Sequence, residues 1–257
     1  MASSGILVEA RDVRVSFGGL RAVDGVNLRI GYGEIRGLVG PNGSGKTTLF
    51  NAMTGYVAYS GEILLGGMSI VGLSPVQIAS MGVSRIFQSG GLIQGMTVME
   101  NLMLGLHRHL RRKWGMVVNL SRSVEEEREG YREALQILDY FGIAELGDRV
   151  VSELPFGQQR LVELARAILT RPRVLLLDEP AVGLSSYDVE RLNVKILELA
   201  GSGVAILVTD HRLEVVRRLV GTLTVLSHGR VIAEGPTEEV LRNPLVAETF
   251  LGKGGVV

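Results

Sequence analysis

The stretch GPNGSGKT, Gly40 to Thr47, lies between an apolar run, EIRGLVG, and a helix-like run, KTTLFNAMTG. It fits the pattern G-x-x-x-x-G-K-[ST]. A strand that turns through a glycine-rich loop straight into a helix draws the chain toward an α/β fold. Glycines let the backbone curl with its N–H groups facing inward, which makes a nest for phosphate oxygens. Gly40, Pro41, Asn42, Gly43, Ser44 and Gly45 form the loop, and Lys46, Thr47 and Thr48 open the helix. Lys46 brings a mobile positive charge, and the Thr47 hydroxyl can coordinate Mg2+. A plain glycine-rich turn is the competing reading; the strand before and the helix after weigh against it.

The rest of the chain extends this frame. ILVEARDVRVSF alternates loosely and reads as a strand; VNLRI, GEILLGG and VSRIFQ are further strands, residues 75–81 a short helix, and Gly55 a helix stop. From about Met96 to Phe141 the pattern turns helical. MTVMENLMLGLHRHL is one helix. SVEEEREGYREALQILDYFG is another, with acidic residues in its first turn and Gly142 after its end. From Arg173 strand and helix alternate again through RVLLLD, YDVERLNVKILELA, GVAILVTD, RLEVVRRLV, GTLTVLSHG and RVIAEG. This alternation predicts a mainly parallel sheet with helices on its faces, a separate antiparallel layer from the early strands, and a helical stretch inserted into the sheet domain.

Bulk properties narrow the function. Of 257 residues, 27 are Lys or Arg and 27 Asp or Glu, so net charge gives no pull toward nucleic acid. No cysteine is present, which excludes disulfides and thiol-ligated metal. The start, MASSGILVEARDVRV, lacks the basic and apolar segments of a signal peptide, and VLLL and VAILV are too short to span a bilayer. The basic run His107–Lys113, beside Trp114, reads as a solvated face or a partner surface rather than a nucleic-acid patch.

A phosphate loop of this kind needs a second metal-site carboxylate. RVLLLDEP supplies Asp178 at the carboxyl end of a buried strand, where open α/β sheets bind ligands. Asp178 is positioned to hold Mg2+ through water, and Glu179 beside it to polarise an attacking water as general base. Solvated acids at a strand end are the alternative. LPFGQQRLVELARAIL, Leu154 to Leu169, then raises the question of what anion a helix head made of Pro155, Phe156, Gly157 and Gln158 would meet.

Gly40–Thr47, Gln88, Leu154–Gln158, Asp178–Glu179 and His211 occur in the order and spacing of the ATP-binding subunits of ABC transporters. The chain resembles that family along essentially its whole length. FGGLRAVDGV, MTVMENLMLGLH, DEPAVGL and the tail GRVIAEGPTEEVLRNPLVAETFLG are similar to the subunits serving branched-chain amino acid importers. The resemblance implies a P-loop NTPase (RecA-like) fold and a single ABC ATP-binding domain over 1–257. Residues 1–88 and 159–257 would be its core with a C-terminal tail, and 89–158 a helical subdomain.

The resemblance also assigns roles. ATP and Mg2+ are the implied cofactors. Leu154–Gln158 is the signature loop, reaching across a head-to-tail dimer, homo- or heteromeric, to the γ-phosphate on the partner's loop. Pro155 replaces a serine, so backbone donors carry more of that contact. Phe17 matches the adenine-stacking aromatic, against a core phenylalanine as rival. Gln88 matches the glutamine that senses Mg2+ and the membrane partner, and His211 the switch histidine on the γ-phosphate. Ser185 and Ser186 depart from the usual Asp or Asn followed by Pro. The implied setting is the cytoplasmic face of the membrane, attached through integral permease subunits, with a solute-binding protein completing the system and no nucleic acid. The rival functions are a soluble ABC ATPase in DNA repair or translation, which would carry two cassettes or long coiled-coil insertions, and a regulatory nucleotide-binding module with little turnover. Intact Lys46, Glu179 and His211 argue against the second.

Overall fold

The computed structural model describes residues 5–87, 90–112, 120–210 and 213–251. They divide into two compact units. The first holds the chain up to Arg85, Arg173–Val182 and the chain from Ile196; the second holds Ile86–Pro172 and Gly183–Lys195.

The first unit contains two sheets. β1 (Ile6–Phe17), β2 (Leu20–Gly31), β4 (Ser60–Leu65) and β5 (Met68–Ser69) form an antiparallel sheet in the order β2-β1-β4-β5. The second sheet runs β10-β9-β3-β8-β7-β6. Its strands are β3 (Ile35–Val39), β6 (Val83–Ile86), β7 (Val174–Asp178), β8 (Ala205–Thr209), β9 (Thr222–Ser227) and β10 (Arg230–Pro236). β9, β3, β8 and β7 pair in parallel, and β10 pairs antiparallel with β9. The two sheets read differently in the sequence because they are buried differently. Every residue of β3, β7 and β8 is buried, which is why IRGLV, VLLLD and AILVT carry near-continuous apolar runs. β1 and β2 alternate because one face of their sheet meets water.

α1 (Lys46–Met53) follows β3 and sends Leu49 and Phe50, both 0% exposed, into a core shared with Val13, Leu28, Leu38, Ile63, Leu176 and Leu207. α2 (Pro75–Ser80) is closed by a capping box between Ser74 and Gln77. Gly55 follows α1 at φ +75°.

The second unit is helical: α3 (Val98–Arg112), α4 (Leu120–Tyr140) and α5 (Phe156–Leu169) pack on one another. Leu102, Leu138, Val162 and Leu164 are fully buried there. α4 starts at Leu120, one turn earlier than its acidic run suggests, so no acidic residue lies in its first turn and the dipole argument does not apply to it. Residues 113–119 and the side chains of His107 to Arg112 lie outside the described residues. α6 (Ser186–Gly201) begins in this unit; α7 (Leu213–Leu219), α8 (Thr237–Leu241) and α9 (Pro244–Leu251) complete the chain.

Candidate functional site

β3, β8 and β7 are adjacent and parallel, so their carboxyl ends share one edge of the sheet. That edge carries the glycine-rich loop after β3, Asp178 closing β7 and Thr209 closing β8, with Asp178 and Thr209 directly paired. This is where open α/β sheets receive ligands.

Two loop glycines are required by close packing. A Cβ on Gly40 would lie 2.1 Å from the Leu226 carbonyl oxygen, and one on Gly45 2.3 Å from that of Ala22. Both have positive φ, 154° and 107°. Gly45 offers α1 no side-chain cap, and the first helical bond runs from Leu49 N to Gly45 O, which leaves the first-turn amides for an anion. Lys46 folds back so that Nζ donates to the carbonyls of Gly40 at 2.8 Å and Pro41 at 3.1 Å. Burial lowers its pKa below that of an ordinary lysine, and the charges of Glu179 and Asp178 push it back up. The Ser44 hydroxyl is buried with no hydrogen-bond partner among the described residues. A half-compensated ammonium, an orphaned hydroxyl and open helix amides fit a polyphosphate.

The carboxylates are held by two residues that sequence reasoning missed. Thr209 Oγ1 donates to Asp178 Oδ1 at 3.0 Å and accepts from the Glu179 amide at 3.0 Å. Arg85 Nη2 donates to Asp178 Oδ2 at 2.9 Å, and Nη1 donates to Asn51 Oδ1 at 2.7 Å. Arg85 and Asp178 side chains are 4% and 5% exposed. Glu179 sits at φ +49°, a left-handed conformation unusual for a glutamate and of the kind that collects at active sites. The signals existed in the sequence: an arginine inside an apolar strand, and a threonine ending one. Neither pattern is specific enough to single out a role.

For Mg2+, the residues fit. Each oxygen of Asp178 keeps a second lone pair beyond its hydrogen bond, and Thr47 is exposed at the helix head. Among the described residues no cluster of three or more His, Cys, Asp or Glu could hold a metal by itself. Mg2+ characteristically needs only one or two protein oxygens beside substrate phosphates.

Phe17 ends β1 at the hairpin tip, paired with Leu20, and is 52% exposed. The reading of it as a core phenylalanine therefore does not hold. In the second unit, Pro155 takes the N-cap of α5, just ahead of the early helical position its chemistry suggests. Its carbonyl accepts from the amides of Gln158 and Gln159, so the amides of Phe156 and Gly157 precede the helix's own bonding. Phe156 is 45% exposed and packs beside Gly183. Ser185 caps α6: its hydroxyl donates to Asp188 Oδ2 at 2.7 Å and accepts from the Asp188 amide at 3.2 Å. A serine does here what an Asp or Asn does at an N-cap, which gives the departure at Ser185 a local explanation. Gln88 and His211 lie outside the described residues.

The ABC transporter family matches residues 23–182, a span holding the phosphate loop, the Leu154–Gln158 loop and the carboxylate pair. The chain belongs to the ABC transporter family. It is 36% identical over 252 residues to the high-affinity branched-chain amino acid transport ATP-binding protein BraF of Pseudomonas aeruginosa, covering 96% of this chain and 98% of the relative. A nucleotide-free ATP-binding cassette from an ABC transporter superposes with a TM-score of 0.84 at 31% identity, covering 96% of this chain and 100% of that one. An ATP-binding cassette in a dimeric post-hydrolysis state, bound to ADP and Pi, superposes with a TM-score of 0.75 at 25% identity, covering 90% and 99%. As an ABC ATPase, the chain uses ATP, and the fold is the P-loop NTPase cassette. Among the described residues no helix is long and apolar enough to cross a membrane.

Proposed function

We propose that this ABC ATPase powers an importer of branched-chain or other hydrophobic amino acids. The observation that carries the chemistry is the strand-end group of Asp178, Glu179 and Thr209 beside Lys46; the substrate class rests on the likeness to the Pseudomonas relative. Gly40 to Gly45 and the head of α1, through Thr48, cradle the phosphates of ATP, and Lys46 exchanges its two carbonyl partners for phosphate oxygens. Phe17 stacks on adenine. Thr47 and Asp178 hold Mg2+, with Gln88 as a further ligand; the ion supplies charge neutralisation on the phosphates. Glu179, kept in its strained backbone position by Thr209, takes the proton of the attacking water. His211 contacts the γ-phosphate. Catalysis is then mostly placement and electrostatics.

In the same reading, Pro155, Phe156, Gly157 and Gln158 face the nucleotide of a second ATP-binding subunit in a head-to-tail dimer, homo- or heteromeric. Residues 1–88 and 159–257 act as core and tail, with 89–158 as the helical subdomain, in one domain. Permease subunits hold the dimer at the cytoplasmic membrane face, and a solute-binding protein delivers the substrate.

The test is complementation in trans. A Cβ at Gly157 would already lie 2.7 Å from Asp188 Oδ2, so Gly157→Asp also sets two carboxylates against each other within one chain. Pairing it with Asp188→Asn removes that repulsion. The pair should bind ATP like the wild type but not turn it over, and mixing with Lys46→Ala protein should restore a single working site per mixed dimer. Collapse of ATP binding in the isolated Gly157→Asp/Asp188→Asn chain refutes the head-to-tail reading.

A further inference from the structure

Within the helical unit a buried ion pair is spent on a loop. Arg160 and Glu163 lie on one face of α5, their side chains 2% and 5% exposed, with Nη1 and Oε2 2.6 Å apart. Each also reaches the backbone of the segment that contains Gln88. Arg160 Nη1 donates to the Phe87 carbonyl at 2.9 Å, and Glu163 Oε1 accepts from the Gly91 amide at 2.6 Å. One turn further along the helix, Arg166 Nη2 donates to the Gly91 carbonyl at 2.7 Å. Past the segment, fully buried Asn101 holds Ile93 at both backbone groups, at 2.8 Å and 3.1 Å. At the other end, the Arg160 guanidinium stacks 5.1 Å from the ring of Phe156, the first residue of α5.

A buried ion pair is a poor source of stability, because desolvating both charges cancels much of their attraction. What this pair supplies is position: the residue before Gln88–Ser89 and a residue soon after are fastened to the helix whose head is the Leu154–Gln158 loop. We propose that Arg160 and Glu163 are positioning residues for ATP hydrolysis, fixing the flanks of the Gln88 segment to the signature helix so that the two move as one body. Contact of the partner's nucleotide with the helix head then displaces the flanks of Gln88, with no separate trigger. The proposal rests on the reading of Gln88 and of Leu154–Gln158 given above.

The full chain is compared with Glu163→Gln, which keeps an acceptor for Gly91, and with Arg160→Met/Glu163→Leu, which removes both charges together and leaves neither unpaired. The readouts are hydrogen exchange at the Gly91 amide, ATP Kd, and kcat and KM of ATP hydrolysis. In the double variant the Gly91 amide should exchange at least about tenfold faster. Its kcat should fall at least about tenfold while Kd and KM stay within about threefold of wild type. Glu163→Gln should keep the Gly91 protection and most of kcat. Unchanged exchange in the double variant, or fast exchange with wild-type kcat, overturns the proposal. Should the double variant not fold, Gly91→Pro deletes the donated N–H without changing any residue of α5; its Cβ would lie 2.9 Å from Arg166 Nη2, so that flexible guanidinium shifts as well. This variant should show the same loss of kcat at unchanged ATP affinity; wild-type kcat there also overturns the proposal. The trans-complementation test uses none of these residues: its failure would count against the dimer reading and the trigger drawn from it, while exchange at Gly91 and kcat judge the clamp itself.

Discussion

Arg85 is the perturbation that examines the site most directly. Its guanidinium bridges Asp178 on β7 and Asn51 on α1, and lies 5.4 Å from the Phe50 ring. Arg85→Met keeps much of the side-chain volume and the packing on Phe50 but leaves the Asp178 carboxylate without its cation. Removing one partner of a buried ion pair costs about 3–5 kcal/mol. The lower end applies here, because Thr209 goes on donating to Oδ1. For a chain of this size that corresponds to a fall in Tm of about 6–20 °C, most of it near the lower bound. The loss should be partly reversed by ligand. A cation bound beside Asp178 replaces the charge that Arg85 supplied, so saturating Mg·ATP should stabilise the variant more than the wild type, beyond ordinary mass action. Differential scanning calorimetry without ligand, with ATP and EDTA, and with Mg·ATP separates these contributions. A ligand-free Tm drop under about 3 °C would show that the pair is not what holds Asp178. Equal drops with and without Mg·ATP would show that Asp178 does not face the metal.

Lys46→Ala should sharply weaken ATP binding with the fold intact, as measured by calorimetric titration; unchanged affinity would remove the phosphate loop from the site. Glu179→Gln should bind ATP normally, lose roughly two to three orders of magnitude in kcat, about 3–4 kcal/mol of barrier, and accumulate an ATP-bound dimer on size exclusion; wild-type turnover would place the base elsewhere. Glu100 closes a capping box with Thr97 at the start of α3. The Thr97 amide first, then its hydroxyl, hold the Glu100 carboxyl below its ordinary pKa. A lowered carboxyl pKa contributes stability that is present above the ordinary glutamate value and lost as pH falls through the folded one. Glu100→Gln should therefore flatten the acid limb of the Tm–pH curve, and an unchanged limb would refute the assignment.

Much of this protein is legible in one dimension because its signals are local. A glycine-rich loop between a strand and a helix needs no distant residue to be recognised, and the continuous apolar runs of β3, β7 and β8 report double-sided burial directly. Asp178 and Glu179 stand out because two acids end such a run. The tertiary structure decided what these residues lean on. Thr209 and Arg85 reach Asp178 from 31 and 93 positions away, a pairing created by strand order and by an arginine inside the core. Phe17 could be assigned to surface or core only once β1 and β2 had closed their hairpin. Ser185 seemed a departure until its hydroxyl was found capping α6. The Arg160–Glu163 clamp is invisible in LPFGQQRLVELARAIL, where two charges three residues apart read as an ordinary helical pair. Spacing along a chain sets which side chains share a face. Which backbone that face meets across 72 or 73 residues is fixed by packing alone.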